Sequence, residues 1–182
     1  MLVQNNIIDK GQSIFLSGLK DAIINLSYKR IVIVDDCVGS GDQLSEFWND
    51  KATIDGTNTL LKDWTKRENI EVNYLVLVGY KKTIEELSNN LPKINFYCLR
   101  ELDEDLRVFD GRSYIWEDMD ENNFALSLFS TIAENSGIAL YGYKHLDFAF
   151  IMDKTIPDWS LPIFWKNNKN WNNLMMRKNA NV

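Results

Sequence analysis

Two apolar runs constrain this chain more than any other feature: IVIV at 31–34 and VNYLVLVGY at 72–80. Both are rich in β-branched residues and apolar at odd and even positions alike, the pattern of a strand covered on both faces. INFYCL at 94–99 has the same strand character, and LDFAFIM at 146–152 returns to it. Helical spacings lie around and between these runs. Phe15, Leu19, Ala22, Ile23 and Leu26 predict an amphipathic helix over 13–27, Leu44, Phe47 and Trp48 begin another, and Leu60, Leu61 and Trp64 place a third over 57–67. Residues 82–91 read as a helix ending at Pro92, and 124–135 as one closed by Gly137. Strands alternating with helices imply parallel crossovers, so the expected fold is α/β, a three-layer sandwich with a mainly parallel central sheet. With no repeat and no linker, residues 1–182 read as a single domain.

Composition narrows the function classes. Hydrophobic content of 45% and charged content of 25% are globular values. A net charge of −6 argues against a general nucleic-acid coat, which needs clustered Lys and Arg. No apolar run approaches the roughly 20 residues that span a bilayer, so no membrane partner is expected. MLVQNNIIDKGQ lacks a basic patch followed by an apolar segment, so no signal peptide is visible and the cytoplasm is the expected compartment. Cys37 and Cys98 are too few for a disulfide framework, and the single His145 excludes a His-ligated zinc site from this chain alone. A Cys37–His145 nucleophile and base is set against the plainer reading of a small buried thiol at a strand end.

The first strand runs into two acids and a glycine turn: IVIVDDCVGSGDQL, 31–44. Open parallel sheets bind ligands at the carboxyl ends of their strands, where Asp35 and Asp36 sit. The turn, with Gly39, Ser40 and Gly41, delivers the chain into a helix whose first N–H groups are unpaired and attract anions. The glycines are expected to allow positive φ and close approach of backbone to ligand. Two carboxylates beside an anion nest suit a sugar phosphate. The plainer alternative is that Asp36 caps a tight turn, although adjacent acids after a buried strand are costly without a partner.

This stretch resembles the signature of type I phosphoribosyltransferases: an apolar run, two acids, two variable positions, and a Thr/Ser- and Gly-rich loop. The resemblance implies that Asp35 and Asp36 take the ribose 2′ and 3′ hydroxyls of phosphoribosyl pyrophosphate or a nucleotide. It implies that Gly39, Ser40, Gly41, Asp42 and Gln43 form the 5′-phosphate loop, and that Mg2+ reaches Asp35 and Asp36 indirectly, through the ligand. DDCVGSGDQ, together with TIPDWSLPIFW at 155–165, is similar to a phosphoribosyltransferase-like branch found in prokaryotic conflict and anti-phage systems. That branch implies a defence effector or sensor with glycosyl transfer or hydrolysis at ribose C1. The alternative is a non-catalytic nucleotide-binding or complex-forming subunit. Either way a protein partner encoded nearby is implied, of the kind found in a retron-type defence operon.

The chain departs from the general pattern in two ways. Asp42 stands where a small residue is usual, and Gln43 where Thr is usual; a carboxylate facing a phosphate is repulsive, so Asp42 is expected to cap the helix that follows. Ordinary members also place a pyrophosphate loop and a flexible catalytic loop upstream of the acids, and the 34 residues before Asp35 hold only a helical pattern. Either another chain supplies that half, or the domain binds a nucleotide without pyrophosphate chemistry. IVIVDD also resembles response-regulator receivers, but VNYLVLVGY ends in Gly79 and Tyr80 with no acceptor Asp.

Other segments have competing readings. The acidic stretch Arg100–Glu121 suits Mg2+ or, more plainly, solvent. Arg100, Arg107 and Arg112 suit a phosphate or their acidic neighbours. Trp159, Trp165 and Trp171 suit core packing over base stacking. Pro157 and Pro162 are expected to hold 155–165 out of helix as an extended flap. Residues 166–182, a basic Asn-rich tail with four positive charges and no acid, suit an acidic partner or nucleic acid, or solvent alone.

Overall fold

A computed structural model describes residues 30–49, 51–54, 57–153 and 155–175; the helix expected over 13–27 and the last residues of the tail lie outside the described residues. In chain order the elements are β1 (Arg30–Val38), α1 (Asp42–Asn49), β2 (Lys51–Ile54), β3 (Thr57–Leu60), α2 (Leu61–Arg67), β4 (Glu71–Tyr80), α3 (Lys81–Asn90), β5 (Ile94–Leu102), α4 (Met119–Ser136) and α5 (Pro162–Trp165). β1, β4 and β5 form a parallel sheet in the order β1-β4-β5. The α/β class and the parallel sheet are therefore as the sequence predicts.

The three apolar runs all become strands, each longer than its run. One core joins the sheet to its helices: Ile33, Val72, Tyr74, Val76 and Ile94 meet Leu44 and Trp48 of α1, Leu61 and Trp64 of α2, and Ile84 and Leu87 of α3. Fully burying a side chain of this size contributes roughly 1.5–3 kcal/mol, which outweighs the weak propensities of the short helices.

Three expectations are corrected. Residues 57–67 are not one helix: Thr57–Leu60 pair antiparallel with Lys51–Ile54, and helix begins only at Leu61. The dipeptide Asp55-Gly56, between the two strands, is a strong hairpin signal that helical spacing overlooked. LDFAFIM forms no strand. Phe148 makes only isolated bridges to Arg107 and Ser160, because Leu146 and Phe148 pack onto the sheet with Tyr80, Leu102 and Trp159 instead of extending its edge. Finally, Pro162 does not keep its segment out of helix but starts α5, as its fixed φ allows at a first helical position.

The segment 155–165 has Ile156, Trp159 and Leu161 buried to 4% exposure or less. A third cluster closes the C-terminal half: Val108, Leu161 and Ile163 with Phe129 and Ile132 of α4. α4 starts at Met119, capped by Asp118 through the amides of Asp120 and Glu121, and ends at Gly137 with φ of 70°. The described part of the tail folds back, Trp171 Nε1 donating to the Ile163 carbonyl and Asn168 to that of Ser136.

Candidate functional site

β1 continues past the two acids to Val38, so Asp35 and Asp36 lie inside the strand near its carboxyl end. The ladder pairs Asp35 with Val76 and Cys37 with Val78. Ile33 and Val38 share the helix-side core although they are five residues apart, while Cys37 packs with Tyr80, Val78, Phe148 and Trp159. Strict alternation puts odd separations on opposite faces, so the in–out pattern slips at the acids. Asp35 is half-buried and Asp36 exposed. Asp35 Oδ2 accepts a hydrogen bond from the Tyr74 hydroxyl at 2.7 Å, and Oδ1 accepts from the Asp36 amide at 2.9 Å. Burial pushes the Asp35 carboxyl above its ordinary value, against the pull of both hydrogen bonds. Burial and the facing Asp35 push the Tyr74 hydroxyl up as well, so it remains a donor.

The loop gives its glycines a packing role beside the expected one. Gly41 has the anticipated positive φ, 75°, but a Cβ there would meet Leu87 Cδ1 at 2.9 Å and Thr83 Cγ2 at 3.0 Å, both on α3. A Cβ on Gly39 would lie 2.3 Å from Cδ1 and Cγ of Trp159. Both glycines therefore make room for packing partners. The first helical bond of α1 runs from the Ser45 amide to the Gly41 carbonyl at 3.0 Å, leaving the Gln43 and Leu44 amides ahead of the ladder. Asp42 does not cap α1 with its side chain. It is the first helical residue, its amide donates to Ser40 Oγ at 3.4 Å, and its carboxylate accepts from the Tyr143 hydroxyl at 2.9 Å and Lys144 Nζ at 3.3 Å. Those two donors hold the Asp42 carboxyl below its usual range.

Asp35, Asp36, Gly39, Ser40, Gly41, Asp42 and Gln43 all line one cavity of about 510 Å3 at the carboxyl end of β1. Tertiary structure adds walls that sequence reasoning missed or left unassigned: Glu46, Tyr74, Tyr143, Thr155, Pro157, Asp158 and Trp159. Register offers a signal for Tyr74, which sits opposite Ile33, two residues before Asp35. No local signal points to Tyr143, which is 101 residues from Asp42. Among the described residues the lining holds five carboxylates, those of Asp35, Asp36, Asp42, Glu46 and Asp158, and no Lys or Arg, with Lys144 paired to Asp42 at its edge. Such a wall accepts hydroxyl hydrogens and favours positive charge, and it repels a bare phosphate.

The chemistry of these donors bears on Mg2+. Among the described residues no group of three or more His, Cys, Asp or Glu could hold a metal ion. Mg2+ is ordinarily bound by one or two carboxylates together with substrate phosphates, and Asp35 and Asp36 fit that use.

The competing candidates resolve structurally. The Cys37 thiol is pushed up to about 12, first by burial and then by Asp36 and Asp35, which makes it a poor nucleophile. Arg107 pairs with the buried Asp147 and with Glu104, and Arg112 with Asp110 and Glu104. Lys81 of α3 pairs with Asp103, so three acids of the stretch, Asp103, Glu104 and Asp110, are held in ion pairs. Trp159 is core-packed and also forms a cavity wall, stacked on Phe150 with centroids 5.1 Å apart.

No helix among the described residues is long and apolar enough to cross a membrane. No curated protein and no solved structure matches the chain. A family model described as PRTase-CE matches residues 1–177, nearly the whole sequence. With its parallel α/β sheet, the chain belongs to the PRTase-CE family and is a phosphoribosyltransferase-like domain.

Proposed function

We propose that the cavity beside β1 holds a ribose 5-phosphate-type ligand, phosphoribosyl pyrophosphate or a nucleotide. Asp35 and Asp36 accept its 2′ and 3′ hydroxyls, and the 39–43 loop with the amides opening α1 receives its phosphate. The observation that carries this reading is convergence: all seven motif residues, from strand, loop and helix start, line one cavity at the carboxyl end of a parallel sheet. Mg2+ arriving with the ligand would screen its phosphate from the five carboxylates. The same carboxylates favour an oxocarbenium-like transition state at ribose C1, where positive charge develops, so glycosyl transfer or hydrolysis is the reaction class that suits them. Similarity of DDCVGSGDQ and TIPDWSLPIFW to the conflict-system branch supports the role of effector or sensor in bacterial anti-phage defence, acting in the cytoplasm with a partner encoded nearby. The second reading, a non-catalytic nucleotide-binding or complex-forming subunit, draws on one observation: the described lining offers no Lys or Arg to a pyrophosphate.

Calorimetry with phosphoribosyl pyrophosphate and nucleotides, with and without Mg2+, tests the site. Asp35→Asn with Asp36→Asn is expected to abolish binding while circular dichroism stays native; unchanged affinity removes the sugar-site reading. Turnover of the same ligands by the chain alone and by the chain co-expressed with its genomic neighbours separates the two functions. Binding without turnover in both samples selects the non-catalytic subunit.

A further inference from the structure

The turn at Gly142–Leu146 carries two adjacent non-glycine residues with positive φ, Lys144 at 56° and His145 at 59°. Such residues are strained, and they persist where their surroundings hold them, most often at ligand clamps. This turn is held on several sides. The Gly142 amide donates to the Leu146 carbonyl at 2.7 Å, and the Tyr143 amide donates to that of Asp158 at 2.8 Å. Arg107 donates to the His145 carbonyl at 3.2 Å. A Cβ on Gly142 would lie 2.6 Å from the Trp159 carbonyl, so the turn rests against the backbone of the cavity wall. Held in this way, the Tyr143 hydroxyl and the Lys144 ammonium meet at one carboxylate, that of Asp42. Lys144 Nζ lies 3.3 Å from its Oδ1 and 3.2 Å from its Oδ2. The Lys144 side chain is 57% exposed, and an ion pair so open to solvent adds too little stability to account for two strained residues.

We propose that Lys144 is the residue that selects a phosphorylated ligand, held by Asp42 at the mouth of the 39–43 loop with Tyr143 beside it. The proposal rests on the ribose-phosphate reading of the cavity and names the cation that serves its phosphate. Asp42 stands in the loop and lines the cavity together with Tyr143, so the ammonium bonded to it lies at the cavity edge. An ammonium has three donors, and the two Asp42 oxygens take at most two, which leaves one for a phosphate oxygen. Pairing also cancels the Asp42 charge, so the carboxylate in the loop no longer repels the phosphate. A lysine binds phosphate as a compact point charge on a flexible stem, which suits a group reaching in from the edge.

The test is calorimetry on the full chain in Mg2+, with the common nucleoside 5′-monophosphates and the corresponding nucleosides as probes. The quantity read is the ratio of nucleotide affinity to nucleoside affinity. Lys144→Met is expected to lower that ratio about 10- to 100-fold, the worth of one charge-assisted hydrogen bond. Lys144→Arg, which keeps the charge at the same backbone conformation, should restore most of it. An unchanged ratio in Lys144→Met would overturn the proposal. So would an equal loss for nucleotide and nucleoside, because that is the mark of a structural role. A parent that binds nucleosides and gains nothing from the 5′-phosphate overturns the proposal and leaves the ribose site standing. A parent that binds neither probe overturns the ribose site itself, and Lys144 loses its assigned role with it.

Discussion

Gly39→Ala is a small change with a large expected consequence. Gly39 is not in the left-handed region, so alanine fits its backbone and the effect is steric alone. The added methyl would sit 2.3 Å from two atoms of the Trp159 ring, whereas carbon atoms rest about 3.5–4.0 Å apart. The ring must withdraw by more than about 1 Å from a place where it is 4% exposed, stacked on Phe150 and edge-on to Phe148. Overpacking of this kind costs about 1–3 kcal/mol, and the upper half of that range applies because the stacked ring has neighbours on two sides. Trp159→Ala alone should cost about 3–5 kcal/mol. In that background the methyl meets empty space, and Gly39→Ala becomes neutral or stabilises by roughly 0.4–1 kcal/mol through the unfolded chain. Urea unfolding of the four proteins completes the cycle, with an expected coupling of about 2–4 kcal/mol. A Gly39→Ala penalty that is absent in the parent, or equal in both backgrounds, would refute the packing account of this glycine.

Three further outcomes follow from the site and its surroundings. Because burial raises the Asp35 carboxyl, its protonated form persists to higher pH than that of an ordinary aspartate. Ligand affinity should therefore fall as pH drops through that raised value, with Asp35→Asn flattening the calorimetric pH profile; its stability contribution has the opposite trend, present at low pH and lost as pH rises through the folded value. The Cys37 thiol, pushed up to about 12, should resist iodoacetamide at pH 8 in the native protein and react after unfolding, as followed by mass spectrometry. Arg107→Met should destabilise by about 3–5 kcal/mol in urea, because it strips the cation from Asp147, whose side chain is 1% exposed. An Arg107→Met loss under 1 kcal/mol would mean that the Phe109 amide, which donates to Asp147 at 2.8 Å, suffices by itself.

Local pattern was enough for the parallel sheet and for the seven-residue motif. Strand-forming runs and a glycine turn act over a few residues, so Ile31–Val34, Asp35, Asp36 and the 39–43 loop carry their conformational instructions with them. That the motif residues would share one cavity follows from continuity of the chain through strand, turn and helix. Most of what closes the cavity came from distant sequence. Trp159 reaches Gly39, Tyr143 and Lys144 take the Asp42 carboxylate from 101 and 102 residues away, and Tyr74 holds Asp35 across the ladder. Periodicity reports which face of an element is apolar, not which element will meet it. That is why LDFAFIM reads as a strand and packs as an irregular cover, and why Asp42 reads as a cap and serves as the anchor of a loop. The purpose of the two glycines was equally hidden. A glycine's missing side chain has meaning only once tertiary structure decides what occupies the space, and here Trp159 and α3 occupy it, with the ligand cavity alongside.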